Sequence, residues 1–92
     1  MAKKLVVDLN FSGVNHLYLV ENTNIYPMRI GLLDDIKFSI YEALRDNKDI
    51  HNIVLLGKNN YSEGIREELL KDVVTKYFNG KVRIDIDDQI FN

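Results

Sequence analysis

The stretch from Asn52 to Leu70 constrains the fold more than any other part of the chain. It opens with four consecutive apolar residues, Ile53–Leu56, which end at Gly57. A polar loop, Lys58–Asn60, comes next, and a long charged helix is predicted to follow it. Helix amides point at whatever binds beyond the carboxyl end of a strand, and α/β proteins build ligand sites from this strand, loop and helix unit. We therefore predict an α/β fold.

Composition predicts one globular domain spanning residues 1–92. Hydrophobic residues make up 46% of the chain and charged residues 28%, with a net charge of −2. A negative net charge offers no electrostatic reason to bind nucleic acid. The absence of cysteine excludes disulfides and thiolate metal sites. No apolar run reaches membrane-spanning or signal-peptide length, so we expect a cytoplasmic protein that does not bind membranes.

Three strands are predicted in the first third of the chain. The run Lys4–Leu9 is apolar apart from Asp8, which favours a central strand covered on both faces. Val14–Glu21 and Ile25–Ile30 follow as two further strands joined by short polar turns. Pro27 cannot donate a hydrogen bond to a neighbouring strand, so the third strand is predicted to lie at an edge of the sheet.

Beyond Gly31 the hydrophobic period changes from two to about 3.6, which predicts a helix that ends in the polar cluster Arg45–Asp49. A second helix follows the Ile53–Leu56 strand. Asn60 and Glu63 are predicted to form its capping box, and Asn79-Gly80 is predicted to end it.

Two pairs of opposite charge stand four residues apart in this second helix, and we predict that they form ion pairs on its solvent face: Glu67 with Lys71, and Asp72 with Lys76. The last predicted strand, Lys81–Asp87, alternates strictly between apolar and charged residues. Such a strand has one solvated face, so it also suits an edge.

The element order β-β-β-α-β-α-β, with apolar strands central and the other two at the edges, predicts a five-stranded mixed sheet of order 3-2-1-4-5. This arrangement resembles the ribonuclease H-like fold and each lobe of the actin-like ATPases. Right-handed crossovers place both predicted helices on one face of the sheet.

Three segments carry a closer resemblance to plasmid-segregation actins. The run Val6–Leu9 before Ser12-Gly13 is similar to their first phosphate loop, and Ile53–Gly57 before Lys58 is similar to their second glycine loop. The end of the chain, Asp87–Asn92, resembles the segment after their last strand. The resemblance covers one lobe, the second, and it implies degenerate nucleotide-binding loops at these positions: Asp8, Asn10, Gly13, Gly57, Lys58 and Asn59.

The same loops depart from the family at the positions where backbone must approach phosphate. Asn10 and Phe11 stand where the family has glycines, and Lys58 replaces a glycine beside Gly57. Close approach to a phosphate depends on glycine's missing Cβ. The first lobe, which supplies the catalytic residue in the family, has no counterpart here. We therefore expect no bound cofactor, no catalytic residue and no enzymatic activity.

A ribonuclease H-like nuclease is one alternative. Asp8, Glu42 and Asp87 could supply carboxylates around magnesium. Such nucleases also need an acid at the end of the fourth strand, where this chain has Gly57-Lys58. This substitution disfavours a nuclease, and we expect no metal site.

These observations favour a non-catalytic protein-interaction module that acts through oligomerisation or a protein partner. A degenerate nucleotide binder and a phage- or plasmid-encoded inhibitor remain alternatives, and the resemblance itself implies a role in plasmid DNA segregation. Actin-like lobes cover the second face of their sheet with a helix that follows the last strand, whereas this sequence ends at Asn92. Because apolar residues of the central strands point to both sides, we expect a bare sheet face that a partner or a second copy buries.

Overall fold

The structure is a computed structural model that describes residues 3–9, 14–57, 60–75 and 82–87. Its elements are, in chain order, β1 (Lys3–Asp8), β2 (Asn15–Glu21), β3 (Asn24–Gly31), α1 (Leu33–Asp46), β4 (Ile50–Leu56), α2 (Asn60–Leu69), a π-helical segment (Leu70–Thr75) and β5 (Arg83–Asp87).

The five strands form one mixed sheet in the order β3-β2-β1-β4-β5, so the predicted order is confirmed. β1 pairs antiparallel with β2 and β2 antiparallel with β3, while β4 runs parallel to both β1 and β5. The apolar strands β1 and β4 are central, and the strand that carries Pro27 is an edge strand.

Two strands contain irregularities that the sequence does not signal. The pairing of β4 with β1 shifts by one residue at His51. Lys3 pairs with Ile50, whereas Lys4 pairs with Asn52, so His51 is left out of the register. This strand therefore begins at Ile50, three residues before the predicted start at Ile53. In β3 the register against β2 shifts at Met28, next to Pro27. An edge strand with a proline and a bulge is a poor template for a further strand.

The hydrophobic core lies on one face of the sheet. Leu5 and Val7 of β1 are fully buried, as are Ile53 and Leu55 of β4. Both helices pack against these residues. The helical members of the core are Ile36, Ile40, Ala43, Leu44, Ile65 and Leu69, with Val73 from the π-helical segment. Two helices on the same face of a five-stranded mixed sheet were predicted and are present.

The start of α1 is held by Asp35. Its carboxylate accepts a hydrogen bond from the backbone amide of Leu32 at 3.3 Å and forms an ion pair with Arg29 of β3 at 3.4 Å. A carboxylate in the first turn satisfies a free amide and opposes the positive end of the helix dipole. These two contacts join α1 to the edge strand beneath it.

The second helix differs from its prediction at its start and along its solvent face. Asn60 is the first residue of α2 rather than the residue before it, and the predicted stop at Asn79-Gly80 lies outside the described residues. Asp72 pairs with Lys37 of α1 at 3.2 Å, and Lys76 lies outside the described residues. No ion pair between Glu67 and Lys71 is found in the part of α2 that the structure describes.

Lys37 is the main polar link between the two helices. Besides Asp72, its ammonium group lies 3.5 Å from Glu68 and 3.8 Å from Asp34. Burial acts to lower the pKa of Lys37, but the hydrogen bond to Asp72 and the charges of Glu68 and Asp72 outweigh it and raise the pKa. The carboxylates of Glu68 and Asp72 thus hold α1 against α2 and the π-helical segment.

Candidate interaction face

The sheet face opposite the helices is here called the open face, because no described helix or strand lies over it. Residues that are paired across strands point to the same side of a sheet. The open face is therefore made of three rows that cross all five strands. The first row is Ile25, Val20, Lys4, Asn52 and Arg83; the second is Pro27, Tyr18, Val6, Val54 and Asp85; the third is Ile30, His16, Asp8, Leu56 and Asp87.

The half of the open face towards β3 is apolar. Ile25 and Ile30 are each 63% exposed, although both are large β-branched residues. Tyr18, Val20 and Val6 continue this surface inward and are half-buried. Ile25 and Ile30 lie on either side of Pro27 along β3, and exposed apolar surface on one face is typical of an interface.

The half of the open face towards β5 is charged, and the two ends of β5 differ in sign. Arg83 stands in the first row, while Asp85 and Asp87 stand in the second and third. The Nε atom of Arg83 donates to Asp85 at 2.9 Å, yet the Arg83 side chain is 72% exposed. The guanidinium group has further donors that a second carboxylate could accept.

A basic groove of about 470 Å³ opens at the first-row end of this face. It is lined by Lys3, Lys4, Val20, Asn22, His51, Asn52 and Arg83. None of these lining residues is acidic, although the whole chain has a net charge of −2. The Oδ1 atom of Asn52 is buried and has no hydrogen-bond partner among the described residues. Of its three cationic residues, Lys3 is paired with Glu21 at 3.5 Å and with Asp49 at 3.6 Å, and Arg83 is paired with Asp85 at 2.9 Å.

The middle of the third row is less accessible than the other two rows. Asp8 and Leu56 are only 5% and 7% exposed, although both point away from the helices. His16 lies beside Asp8, and its ring stacks on Tyr18 with the two centroids 6.3 Å apart. The Tyr18 hydroxyl lies 3.5 Å from Nδ1 of His16. The open face is therefore most accessible over its first two rows and at Ile30.

The predicted nucleotide loops follow the carboxyl ends of β1 and β4 in the sequence. Gly57 is buried, and its amide donates to the carbonyl oxygen of Asp87 at 3.3 Å. The amide of Leu9 donates to the carbonyl oxygen of Leu56 at 2.9 Å. Both amides extend the sheet ladder instead of pointing towards a phosphate. The other predicted loop residues, Asn10, Gly13, Lys58 and Asn59, lie outside the described residues.

The structure does not bring together the three carboxylates of the nuclease alternative. Asp8 and Asp87 share the third row of the open face. Glu42 is on α1, which packs on the opposite face, and it borders a groove with Met28 and Ser39. The sheet therefore separates Glu42 from the other two acids. Among the described residues, no three His, Asp or Glu side chains are grouped closely enough to hold a metal ion.

Sequence reasoning missed Lys4, Asn52 and Arg83, the polar residues of the first row. The alternation of side chains along each strand indicates which face these residues occupy. Lys4 stands two residues before Val6, Asn52 two before Val54, and Arg83 two before Asp85. Once the strand order is known, this alternation places all three on the face that the helices leave open.

Comparisons with known proteins bear on the fold alone. No protein-family model matches the sequence, and no curated protein matches it. The structure is similar to that of Dom34 from S. cerevisiae, a translation termination-like factor that interacts with Hbs1, with a TM-score of 0.60 at 14% identity. The match covers 91% of this chain and 28% of the Dom34 chain. No helix in the described ranges is long and apolar enough to cross a membrane.

Proposed function

We propose that this protein is a non-catalytic protein-interaction module that docks through the open face of its sheet. The proposal includes a ribonuclease H-like fold related to one lobe of the plasmid-segregation actins, and a cytoplasmic location. What the module would contribute is a rigid, five-stranded surface on which another protein packs.

The observation that carries the proposal is the exposure of Ile25 and Ile30 on a face where the described residues provide no covering element. Burial of apolar surface contributes roughly 25 cal/mol for each Å² removed from water, so such residues favour association. The second row continues the apolar surface to the middle of the sheet through Tyr18, Val6 and Val54. A protein surface is the occupant that best fits a broad area of this kind.

The alternative of a nucleotide binder has less support. A phosphate site at the end of β4 would need free backbone amides, and those of Gly57 and Leu9 already donate within the sheet. Asn10 and Phe11 also add side chains where phosphate loops use glycine. The nuclease alternative also has less support, because Glu42 and Asp8 lie on opposite sides of the sheet and so do not form one carboxylate cluster.

Site-specific photo-crosslinking in cells tests the proposal. A photoreactive phenylalanine analogue is placed at Tyr18, in the second row of the open face, and in a matched variant at Arg45, which is exposed on α1. We expect the Tyr18 variant to form a discrete protein adduct and the Arg45 variant to form none. Mass spectrometry then shows whether the adduct contains a second copy of this chain or another protein.

Equal adducts from the two positions, or none from Tyr18 in a folded variant, would contradict the proposal. Circular dichroism of each purified variant establishes that the sheet and the helices are retained. A second probe at Ile25, which is exposed in the first row, repeats the test if the ring at position 18 proves to be essential for folding.

A further inference from the structure

We infer that the open face packs against the open face of a second copy, with the two-fold axis running across the strands. This inference rests on the proposed function and names the occupant of the same surface. Three properties of the face carry it: the apolar half towards β3, the positive first row, and the negative residues that follow on β5.

Two aligned ways of stacking the faces are compatible with two-fold symmetry. If the axis runs along the strands, β3 of one copy lies over β5 of the other. The exposed Ile25 would then face the charged side chain of Arg83, and Lys4 would face Lys4 of the second copy. This arrangement opposes like charges and places apolar residues against polar ones.

If the axis instead runs across the strands, each strand lies over its own counterpart with the rows reversed. The apolar edge of one copy then covers the apolar edge of the other, with Ile25 near Ile30 of the second copy. The first row lies over the third, so Arg83 comes close to Asp87 of the second copy, while Asp85, in the middle row, lies near its own counterpart at the axis. The same contact occurs twice, once on each side of the axis, as an isologous interface requires.

The basic groove strengthens this choice of axis. Its cationic residues Lys4 and Arg83 stand at the end of the face that receives the acidic end of β5 from the second copy. Opposite charges placed face to face guide partners into register and disfavour wrong orientations. Asn52 also lines this groove, and its buried Oδ1 atom has no hydrogen-bond partner among the described residues.

The size of the face predicts a dimer of modest affinity. Five strands about 4.8 Å apart, each contributing about six residues with a rise of about 3.3 Å, cover on the order of 500 Å² in each copy. The two copies together bury about 1,000 Å², which is at the lower end for a specific interface. We therefore expect dissociation in the micromolar range, where sedimentation equilibrium measures it directly.

Charge exchange between two variants tests both the occupant and the orientation. One variant carries Arg83→Glu and the other carries Asp85→Lys with Asp87→Lys. Each variant alone opposes like charges at both contacts of the dimer, so we expect its self-association to weaken by about tenfold or more. In an equimolar mixture both contacts become attractive, and we expect a heterodimer of nearly wild-type affinity.

Only the axis across the strands predicts this restoration. If the wild-type chain stays monomeric at several hundred micromolar, or if the mixture associates no better than its components, the inference is overturned. Arg83→Asp replaces Arg83→Glu, and Asp87→Lys alone replaces the double variant, if circular dichroism shows that either protein is unfolded. A Tyr18 adduct that contains only a different protein would also overturn the second copy as occupant while leaving the proposed function in place.

Discussion

The backbone amide of Gly57 donates to the carbonyl oxygen of Asp87 at 3.3 Å, which joins the carboxyl ends of β4 and β5. The resemblance to nucleotide-binding loops depends on a glycine at this position. Here its amide extends the ladder between two parallel strands. Gly57 therefore acts as a structural residue in the sheet, and the loop that follows it begins without a free amide at that point.

For this reason we predict that ATP and ADP with magnesium do not raise the melting temperature of the chain. A ligand that binds only the folded state stabilises it by mass action, so a binder would show a shift that grows with ligand concentration. Differential scanning fluorimetry measures the shift, and a phosphate-release assay measures turnover. Turnover that disappears in Asp8→Asn would contradict the prediction.

Replacement of Lys37 by methionine is expected to reduce the free energy of unfolding by about 0.5–1 kcal/mol, since partly exposed ion pairs contribute this much. Methionine retains the apolar stem but loses the contacts with Glu68 and Asp72. Urea unfolding in low salt and in high salt measures the effect, which salt should diminish. Lys71→Met, at an exposed position with no ion pair described, is the matched control and should leave the stability unchanged.

The pH dependence of stability also follows from Lys37. The pKa of Lys37 is raised in the folded protein. Its contribution to the free energy of unfolding is therefore fully present below the ordinary lysine value of about 10.4 and is lost as the pH rises through the folded pKa. The stability difference between the wild type and Lys37→Met should therefore be constant near neutral pH and shrink above about pH 10.5. A stability difference between the two proteins that grows in this alkaline range would contradict a raised pKa of Lys37 in the folded protein.

Asn22 has a φ of 58° in the turn between β2 and β3, within the left-handed region. Glycine adopts this conformation freely and asparagine tolerates it, whereas a β-branched residue is strained there. We predict that Asn22→Gly keeps or slightly raises stability and that Asn22→Val lowers it by about 1–2 kcal/mol. Thermal unfolding compares these variants with Thr23→Val, the neighbouring turn position, where a small effect is expected.

A methyl group at Gly31 would lie 3.0 Å from a carboxylate oxygen of Asp35 and 3.1 Å from its Cβ. Because the Cβ atom of Asp35 is fixed by the first turn of α1, we expect Gly31→Ala to shift the start of the helix slightly and to weaken the hydrogen bond of the carboxylate to the Leu32 amide. Loss of such a cap costs about 1 kcal/mol. Asp35→Ala should lower the free energy of unfolding by a similar amount. The double variant should lower it by clearly less than the sum, because both changes affect the same hydrogen bond between the Leu32 amide and the Asp35 carboxylate.

The strand order could be predicted because both edge strands carry a recognisable sequence pattern. Pro27 cannot sit in the middle of a ladder, and the alternation of Arg83, Asp85 and Asp87 requires a face that is not covered by helices. The bulges could not be predicted, because a register shift depends on the neighbouring strand as well as on the local residues. The start of β4 at Ile50 was missed for this reason, since His51 interrupts the pattern.

The candidate site was predicted less completely than the fold. The apolar residues of the open face, such as Val6 and Val54, follow from strand parity. The basic groove required the strand order as well, because Lys4 and Asn52 come together only when β1 is paired with β4. The distance of Glu42 from Asp8 likewise depends on the face that α1 covers, because each residue alone is compatible with a metal site.

Pro27 and the shifted register at Met28 also decide how far any association of this protein can extend. Pairing along sheet edges would leave a free edge after each addition and would continue as an unlimited ribbon. The proline removes one backbone donor from β3, and the bulge disturbs the spacing of those that remain. An assembly through the open face is instead complete once the two faces meet, so the exposed isoleucines are consistent with a particle of fixed size.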